Sequence, residues 1–247
     1  MPRFFVEKGN IREGIVTVAG EDAHHISRAL RMAAGEHITV CDAQGTDYDC
    51  VLTDFLPDRV LARVEKTRPT ETEPPYRVVL YQGLPKGDKF DSVIRKAVEC
   101  GVSRVVPFES ERCVVRVGAG ESAQKTARRS RIAAEAAKQC GRGILPEVAP
   151  AVPFRAVLGQ TGQYDLALFC YEGEGTEPLP RVLERAKRAA MPRTVAVIVG
   201  SEGGFSPAEA EAARAAGWIP VGLGKRILRT ETAPVFALAA IACALEL

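Results

Sequence analysis

Between Ile198 and Pro234 the chain reads IVGSEGGFSPAEAEAARAAGWIPVGLGKRILRTETAP, and five charged residues fall in its two glycine-bearing turns. Glu202 sits in the first turn; Lys225, Arg226, Arg229 and Glu231 sit in the second. A guanidinium can steady developing negative charge, and a carboxylate can accept a proton. The glycines Gly200, Gly203, Gly204 and Gly224 let a ligand come close to the main chain. These residue types suit a site where a bound molecule is held by backbone and acted on by a few charges. Two ordinary turns braced by a structural Arg–Glu pair remain the alternative for the same residues.

The elements that must position these groups are legible around them. Val195–Val199 is a β-branched apolar run and predicts a strand buried on both faces. Ser206 suits an N-cap, Pro207 the first helical position and Glu209 the capping box, so a helix is expected from there to Gly217. Trp218–Leu223 reads as the next strand, and Arg229-Thr230-Glu231-Thr232 precedes a last helix. Two glycine loops following adjacent parallel strands predict a ligand crevice at the strand ends.

Familiar nucleotide motifs are absent. Gly83-Leu84-Pro85-Lys86-Gly87-Asp88-Lys89 is not a Walker A sequence, and Gly222-Leu223-Gly224-Lys225-Arg226-Ile227 lacks the last glycine of the dinucleotide fingerprint. No G-x-S-x-G elbow occurs.

Two kinds of patterning divide the chain. Up to about Thr70, short strand candidates alternate with turn residues, which predicts a small β-barrel. Within it Asp22–Met32 reads as a helix with His24, Arg28 and Arg31 on one face. From Tyr76 onward strands and helices alternate, which predicts an α/β domain on a parallel sheet. The expected division is 1–70, a linker at 71–75 within the polar, proline-rich stretch TRPTETEPP (Thr67–Pro75), and 76–247. A helix is expected over Ser122–Cys140, with Lys125, Arg128, Arg129 and Arg131 in its first half and Arg142 just beyond it. Basic residues of this kind either contact nucleic-acid phosphates or form solvated faces. The candidates for RNA are His24, Arg28, Arg31, Lys86, Lys89, Arg112, Arg116, Arg128 and Arg142.

Composition narrows the classes. The chain has 247 residues, a net charge of +2, 46% hydrophobic and 26% charged residues, ordinary values for a soluble globular protein. Bulk charge does not announce a nucleic-acid binder, so any basic surface must come from clustering. The seven cysteines are odd in number, widely spaced and form no C-x-x-C pair, which points to reduced thiols in a cytoplasmic protein and to no metal site. No basic-then-apolar segment opens the sequence, so no signal peptide is expected. The apolar run Val235–Leu245 is shorter than the ~18 residues of a membrane span and predicts a buried helix.

The stretches GSEGGFS and LGKRILRTETAP, with HHISRALRMAAGE and AAEAAKQCGR, resemble signature segments of the RsmE family, SPOUT-class methyltransferases of 16S ribosomal RNA. Ser201 stands where proline is common in that family. The resemblance implies a SPOUT fold with a C-terminal trefoil knot, an N-terminal PUA-like RNA-binding domain and a homodimer. It implies S-adenosylmethionine as cofactor, the small ribosomal subunit as partner and N3 of a uridine as acceptor. The cofactor role falls by resemblance on Val199, Gly200, Ser201, Glu202, Gly203, Gly204, Leu223, Gly224, Ile227, Leu228, Arg229 and Thr230, with Phe169, Cys170, Tyr171 and Glu172 as a third contributing loop. Leu168 joins Phe169, Val199, Leu223, Ile227 and Leu228 as candidates for an apolar slot. Loss of the N3 proton makes Arg229, Glu231 and Glu202 the catalytic candidates. An inactive RNA-binding assembly factor, or a SPOUT enzyme with another acceptor such as a ribose hydroxyl or guanine N1, remains open.

Overall fold

The computed structural model describes residues 1–116 and 123–247, so the helix start expected at Ser122 lies outside the described residues. The chain divides into two units, Met1–Glu73 with Ala137–Leu145, and Pro74–Ala136 with Pro146–Leu247.

In the first unit, β1 (Arg3–Phe5), β2 (Ile11–Arg12), β3 (Ile15–Ala19), β4 (His37–Cys41), β5 (Thr46–Phe55) and β6 (Arg59–Pro69) form one sheet in the order β1-β4-β5-β6-β3-β2. Alternation along the strands sends Val16, Val18, Ile38, Val40, Leu52 and Val60 into a common core. Strand β6 is longer than the sequence suggests. Its pairing with β5 continues through Thr67, Arg68 and Pro69, because Arg68 meets Asp47 and Asp49 on the partner strand. The first three residues of the expected linker stretch are therefore strand.

The expected helix over Asp22–Met32 is also different. Helix α1 (Glu21–His24) runs directly into a π-helical turn over His25–Ala29, and Arg31 adopts φ +52°. The wider π-turn shifts every following side chain, so the i, i+4, i+7 stripe of His24, Arg28 and Arg31 does not hold. All three residues are nonetheless exposed.

The second unit contains β7 (Arg77–Gly83), α2 (Lys89–Glu99), β8 (Arg104–Glu109), α3 (Ala123–Gln139, whose last residues group with the first unit), β9 (Glu147–Val148), β10 (Val152–Pro153), α4 (Phe154–Leu158), β11 (Leu166–Cys170), β12 (Glu177–Pro178), α5 (Leu179–Ala189), β13 (Thr194–Val199), α6 (Pro207–Ala215), β14 (Ile219–Gly222) and α7 (Ala233–Leu245). Its eight-stranded sheet runs β10-β8-β7-β13-β11-β14-β12, with β9 on β8, and every pairing is parallel. Strands β7, β11 and β13 are buried along nearly their whole length, as their continuous apolar runs require. Phe108, Phe154, Phe169, Phe205 and Trp218 fill one face of the sheet. The two strands that carry the glycine loops, β13 and β14, are not neighbours: β11 lies between them and pairs with both. Among the described residues no helix is long and apolar enough to cross a membrane.

Candidate active site

The carboxyl ends of β11, β13 and β14 open into one cleft of about 770 Å3, a volume suited to a nucleoside-sized molecule. After β13 it is lined by Val199, Gly200, Ser201, Glu202, Gly203 and Gly204. After β14 the lining continues with Leu223, Gly224, Ile227, Leu228, Arg229, Thr230 and Glu231. Cys170, Tyr171 and Glu172 follow from β11, between the other two loops. Strand order thus explains why a third loop contributes: the middle strand must end between the outer two.

Two expected slot residues are elsewhere. Leu168 and Phe169 are fully buried, and Phe169 packs on Phe154, Tyr171 and Phe205 in the core. They support the floor and do not line the cleft. Ile227 lines it but is 84% exposed, so it belongs to the rim and not to an apolar slot.

The first loop is held by close packing and by hydrogen bonds. A Cβ on Gly83, at the end of β7, would lie 2.5 Å from the Ser201 backbone nitrogen. A Cβ on Gly203 would lie 2.8 Å from both the Cβ and the carbonyl oxygen of Arg112. Real side chains do not tolerate such distances, so both positions need glycine. Gly83→Ala is expected to cost about 1–3 kcal/mol by overpacking. In a chain of this size that lowers the thermal midpoint by roughly 2–12 °C, and an unchanged midpoint in calorimetry would show that the loop moves aside freely.

The expected capping box is present. Ser206 Oγ accepts from the Glu209 amide at 3.3 Å, and the Ser206 amide donates to Glu209 Oε2 at 3.0 Å. The other Glu209 oxygen accepts from the Glu111 amide at 2.7 Å, tying the segment after β8 to the start of α6. On that segment Arg112 reaches the cleft rim, its guanidinium 3.4 Å from the Gly203 carbonyl oxygen to which it donates. Arg116 donates to the carbonyls of Ser110 and Glu111 and so braces its own loop.

Glu202 is engaged. Its carboxylate accepts from Lys89 Nζ at 2.7 Å and from the Lys86 amide at 3.2 Å. Burial alone would raise its pKa; the Lys89 hydrogen bond and charge, with its own amide and that of Lys86, bring it below the ordinary carboxylate value. The stabilisation is therefore present above the unfolded pKa near 4.5 and is lost as pH falls through the lower folded value. At the surface such a pair contributes only about 0.2–1 kcal/mol. Glu202→Gln is expected to lower the midpoint slightly at pH 7, with the gap to wild type narrowing as pH falls below the unfolded value near 4.5; a gap that does not narrow in acid contradicts this role.

Arg229, by contrast, is exposed in the cleft and makes no ion pair with any described residue. Its carbonyl accepts from the amides of Thr232 and Ala233 at the start of α7, which fixes the backbone beneath the free guanidinium. Glu231 Oε2 and Ser201 Oγ are buried in the cleft wall with no hydrogen-bond partner among the described residues. An unsatisfied carboxylate oxygen and an unsatisfied hydroxyl suit a polar ligand that brings its own donors and acceptors.

The remaining basic candidates divide. Lys86 is exposed beside the cleft segment and Lys89 lines the cleft. Arg128 is exposed and paired with Asp91. Arg142 is not available to RNA: its side chain is 5% exposed and its guanidinium forks onto Glu73, with Nη2 to Oε2 at 2.7 Å and Nε to Oε1 at 3.4 Å. Glu73 Oε1 also accepts from the Gly143 and Ile144 amides. Sequence reading missed Gln82 and Gly83 at the end of β7, which lie behind the lining residues and hold the Gly200, Ser201 and Thr230 backbone and side chains in place; the signal was a glutamine and a glycine ending an otherwise apolar strand.

Known proteins resemble this chain along its whole length. The family described as RNA methyltransferase domain matches residues 72–242, and the RNA methyltransferase PUA domain matches residues 18–65. The ribosomal RNA small subunit methyltransferase E of Bacillus subtilis is 34% identical over 252 residues, covering 100% of this chain and 98% of that protein. Its counterpart from Synechocystis is 34% identical, covering 99% of this chain and 78% of that protein. The crystal structure of ribosomal RNA small subunit methyltransferase E from Neisseria gonorrhoeae, bound to S-adenosyl methionine, superposes with a TM-score of 0.85 at 32% identity, covering 98% of this chain and 97% of that one.

Proposed function

The chain belongs to the ribosomal RNA small subunit methyltransferase E family, and from that premise we propose that it methylates N3 of a specific uridine in 16S ribosomal RNA with S-adenosylmethionine as donor. The observation that carries the reading is the cleft at the ends of β11, β13 and β14, with the exposed Arg229 guanidinium and an unsatisfied Glu231 carboxylate oxygen two residues apart on the loop after β14. The residues present fit the cofactor. The cleft has nucleoside size, backbone faces it at Gly200, Gly204 and Gly224, and the buried Ser201 hydroxyl is free to meet a polar group.

When bound, S-adenosylmethionine supplies a methyl group already activated on a positively charged sulfur. The chain's own residues then have three tasks. The loops after β11, β13 and β14 hold donor and acceptor in line, and such placement is worth up to roughly 7–11 kcal/mol of barrier. Glu231 accepts the proton from N3, leaving the nitrogen an electron pair with which it would form the new N–C bond as the bond from the methyl carbon to sulfur breaks and a neutral thioether leaves. Arg229 donates to a uracil carbonyl oxygen as negative charge develops there. Glu202 is the weaker candidate for the base, because Lys89 and the Lys86 amide already occupy its carboxylate. Its role is to brace the first loop against the start of α2.

The same reading assigns 1–70 to RNA capture, 71–75 to a linker and 76–247 to methyl transfer. His24, Arg28 and Arg31 on the first unit, and Lys86, Lys89, Arg112 and Arg128 on the second, serve RNA phosphates. Two further family features are part of the proposal. The packing of α7 against α2, α5 and β13 supports a knotted C-terminus, and its outer face, with Phe236 41% exposed, supports a homodimer.

The test is incubation with methyl-labelled cofactor and small subunits that lack the modification. Label in the ribosomal RNA is expected; its absence, together with measurable heat of S-adenosylhomocysteine binding, would leave a cofactor-binding protein with a different acceptor. Absence of both would leave an assembly factor without catalysis.

A further inference from the structure

Gln82 is the last residue but one of β7, opposite Val199 in the pairing with β13, and its side chain is completely buried. Its Nε2 lies 3.2 Å from the Gly200 carbonyl oxygen and 3.1 Å from Thr230 Oγ1, and donates to both. The Thr230 hydroxyl in turn donates to the same Gly200 carbonyl at 2.8 Å. These three groups close a triangle that joins the loop after β13 to the loop after β14. The two loops come from strands that do not touch, since β11 separates them.

The orientation of the amide is fixed by its surroundings. Nε2 also meets the Gly83 carbonyl oxygen at 3.0 Å, so two carbonyls and a hydroxyl converge on it. Turned over, the amide would set oxygen against two carbonyl oxygens. In the observed orientation Oε1 is buried with no partner among the described residues. A buried unsatisfied acceptor is costly, and an apolar side chain in this strand would avoid the cost. The cost makes sense only if the donor side of the amide is needed.

We propose that Gln82 is a positioning residue that locks the two cofactor loops into one site, an inference that rests on the methyltransferase reading of the cleft. It reaches the ligand only through others. By fixing Gly200 it sets the first loop's backbone, and by fixing Thr230 it sets the flanking Arg229 and Glu231. Gln82→Glu keeps the shape but replaces the donor with an acceptor; Gln82→Leu removes the polar group. A volume-filling role predicts that the apolar Gln82→Leu binds like wild type, whereas a donor role predicts that it binds more weakly; Gln82→Glu is damaging on either role, because it buries an ionisable carboxyl against two carbonyl oxygens.

Binding of S-adenosylhomocysteine to the full-length protein, measured by calorimetry, tests this. Wild type is expected to bind, Gln82→Leu to bind about ten- to a hundredfold more weakly, and Gln82→Glu more weakly still. The cofactor KM in the methylation assay is expected to rise by more than kcat falls. In ligand-free protein, hydrogen exchange within 200–204 and 229–232 is expected to accelerate about tenfold or more in Gln82→Leu. Thr230→Val removes another corner of the triangle, and the double variant with Gln82→Leu is expected to lose less than the sum of the two single losses. If Gln82→Leu does not fold, Thr230→Val alone must show the weakened binding and faster exchange. Wild-type affinity and exchange in these variants would overturn the proposal while leaving the functional reading intact; no binding by wild type would instead overturn the functional reading.

Discussion

Arg229→Ala is expected to lower the methylation rate at saturating cofactor by about 100- to 1000-fold, the loss seen when one preorganised donor is removed from developing negative charge. The side chain is exposed, lines the cleft and has no carboxylate partner among the described residues. Stability should therefore stay within about 0.5 kcal/mol of wild type. The two readouts together separate this account from the alternative in which Arg229 braces Glu231 or Glu202. A bracing arginine would show in the unfolding midpoint, whereas a charge-stabilising arginine shows in the rate. Single-turnover kinetics beside a thermal melt decides between them. A wild-type rate in a folded Arg229→Ala protein removes Arg229 from the chemistry.

Arg142→Ala is expected to destabilise the first unit by about 3 kcal/mol, the low end of the cost of breaking a buried ion pair. For a unit of that size, Met1–Glu73 with Ala137–Leu145, the midpoint should fall by roughly 12–24 °C. The cost sits at the low end because Glu73 keeps the Gly143 and Ile144 amides when the guanidinium is gone. Burial alone would raise the Glu73 pKa, but Arg142 and these amides hold it below the ordinary range. The pair thus contributes above the unfolded carboxylate pKa, and its contribution disappears as pH falls through the lower folded value. Denaturation followed between pH 7 and pH 3 should show Arg142→Ala approaching wild type at the acid end. RNA affinity lost by a variant that is fully folded and equally stable would instead return Arg142 to the RNA surface.

What sequence could and could not reveal follows from the range of each interaction. The Ser206–Pro207–Glu209 cap is local, and its reading carried over to the structure. The loops around Gly200–Gly204 and Gly224–Thr230 were legible because glycine and charge mark them directly. The place of β11 between β13 and β14 was not, since strand order is decided by packing of distant segments. For the same reason Phe169 could be placed near the cleft but not beneath it. Arg142 read as a basic residue beside a basic helix; its partner Glu73 is 69 residues away, and nothing nearby marks it as buried. The shared face of His24, Arg28 and Arg31 was lost for a different reason. A π-turn over His25–Ala29 broke the helical period on which its placement depended. Gln82 left a usable signal, since a lone amide before a glycine at the end of an apolar strand is costly unless it is used.

The central claim is that this cleft places the N3 nitrogen of a uridine where Glu231 and Arg229 can act on it. Nucleoside digests of 16S ribosomal RNA, analysed by mass spectrometry, test it most directly, using RNA from a strain lacking the protein with wild type or Arg229→Ala added back. The account predicts 3-methyluridine with wild type and little or none with the variant. A methyl group on a ribose hydroxyl or on guanine N1, or 3-methyluridine formed equally by both proteins, would contradict it.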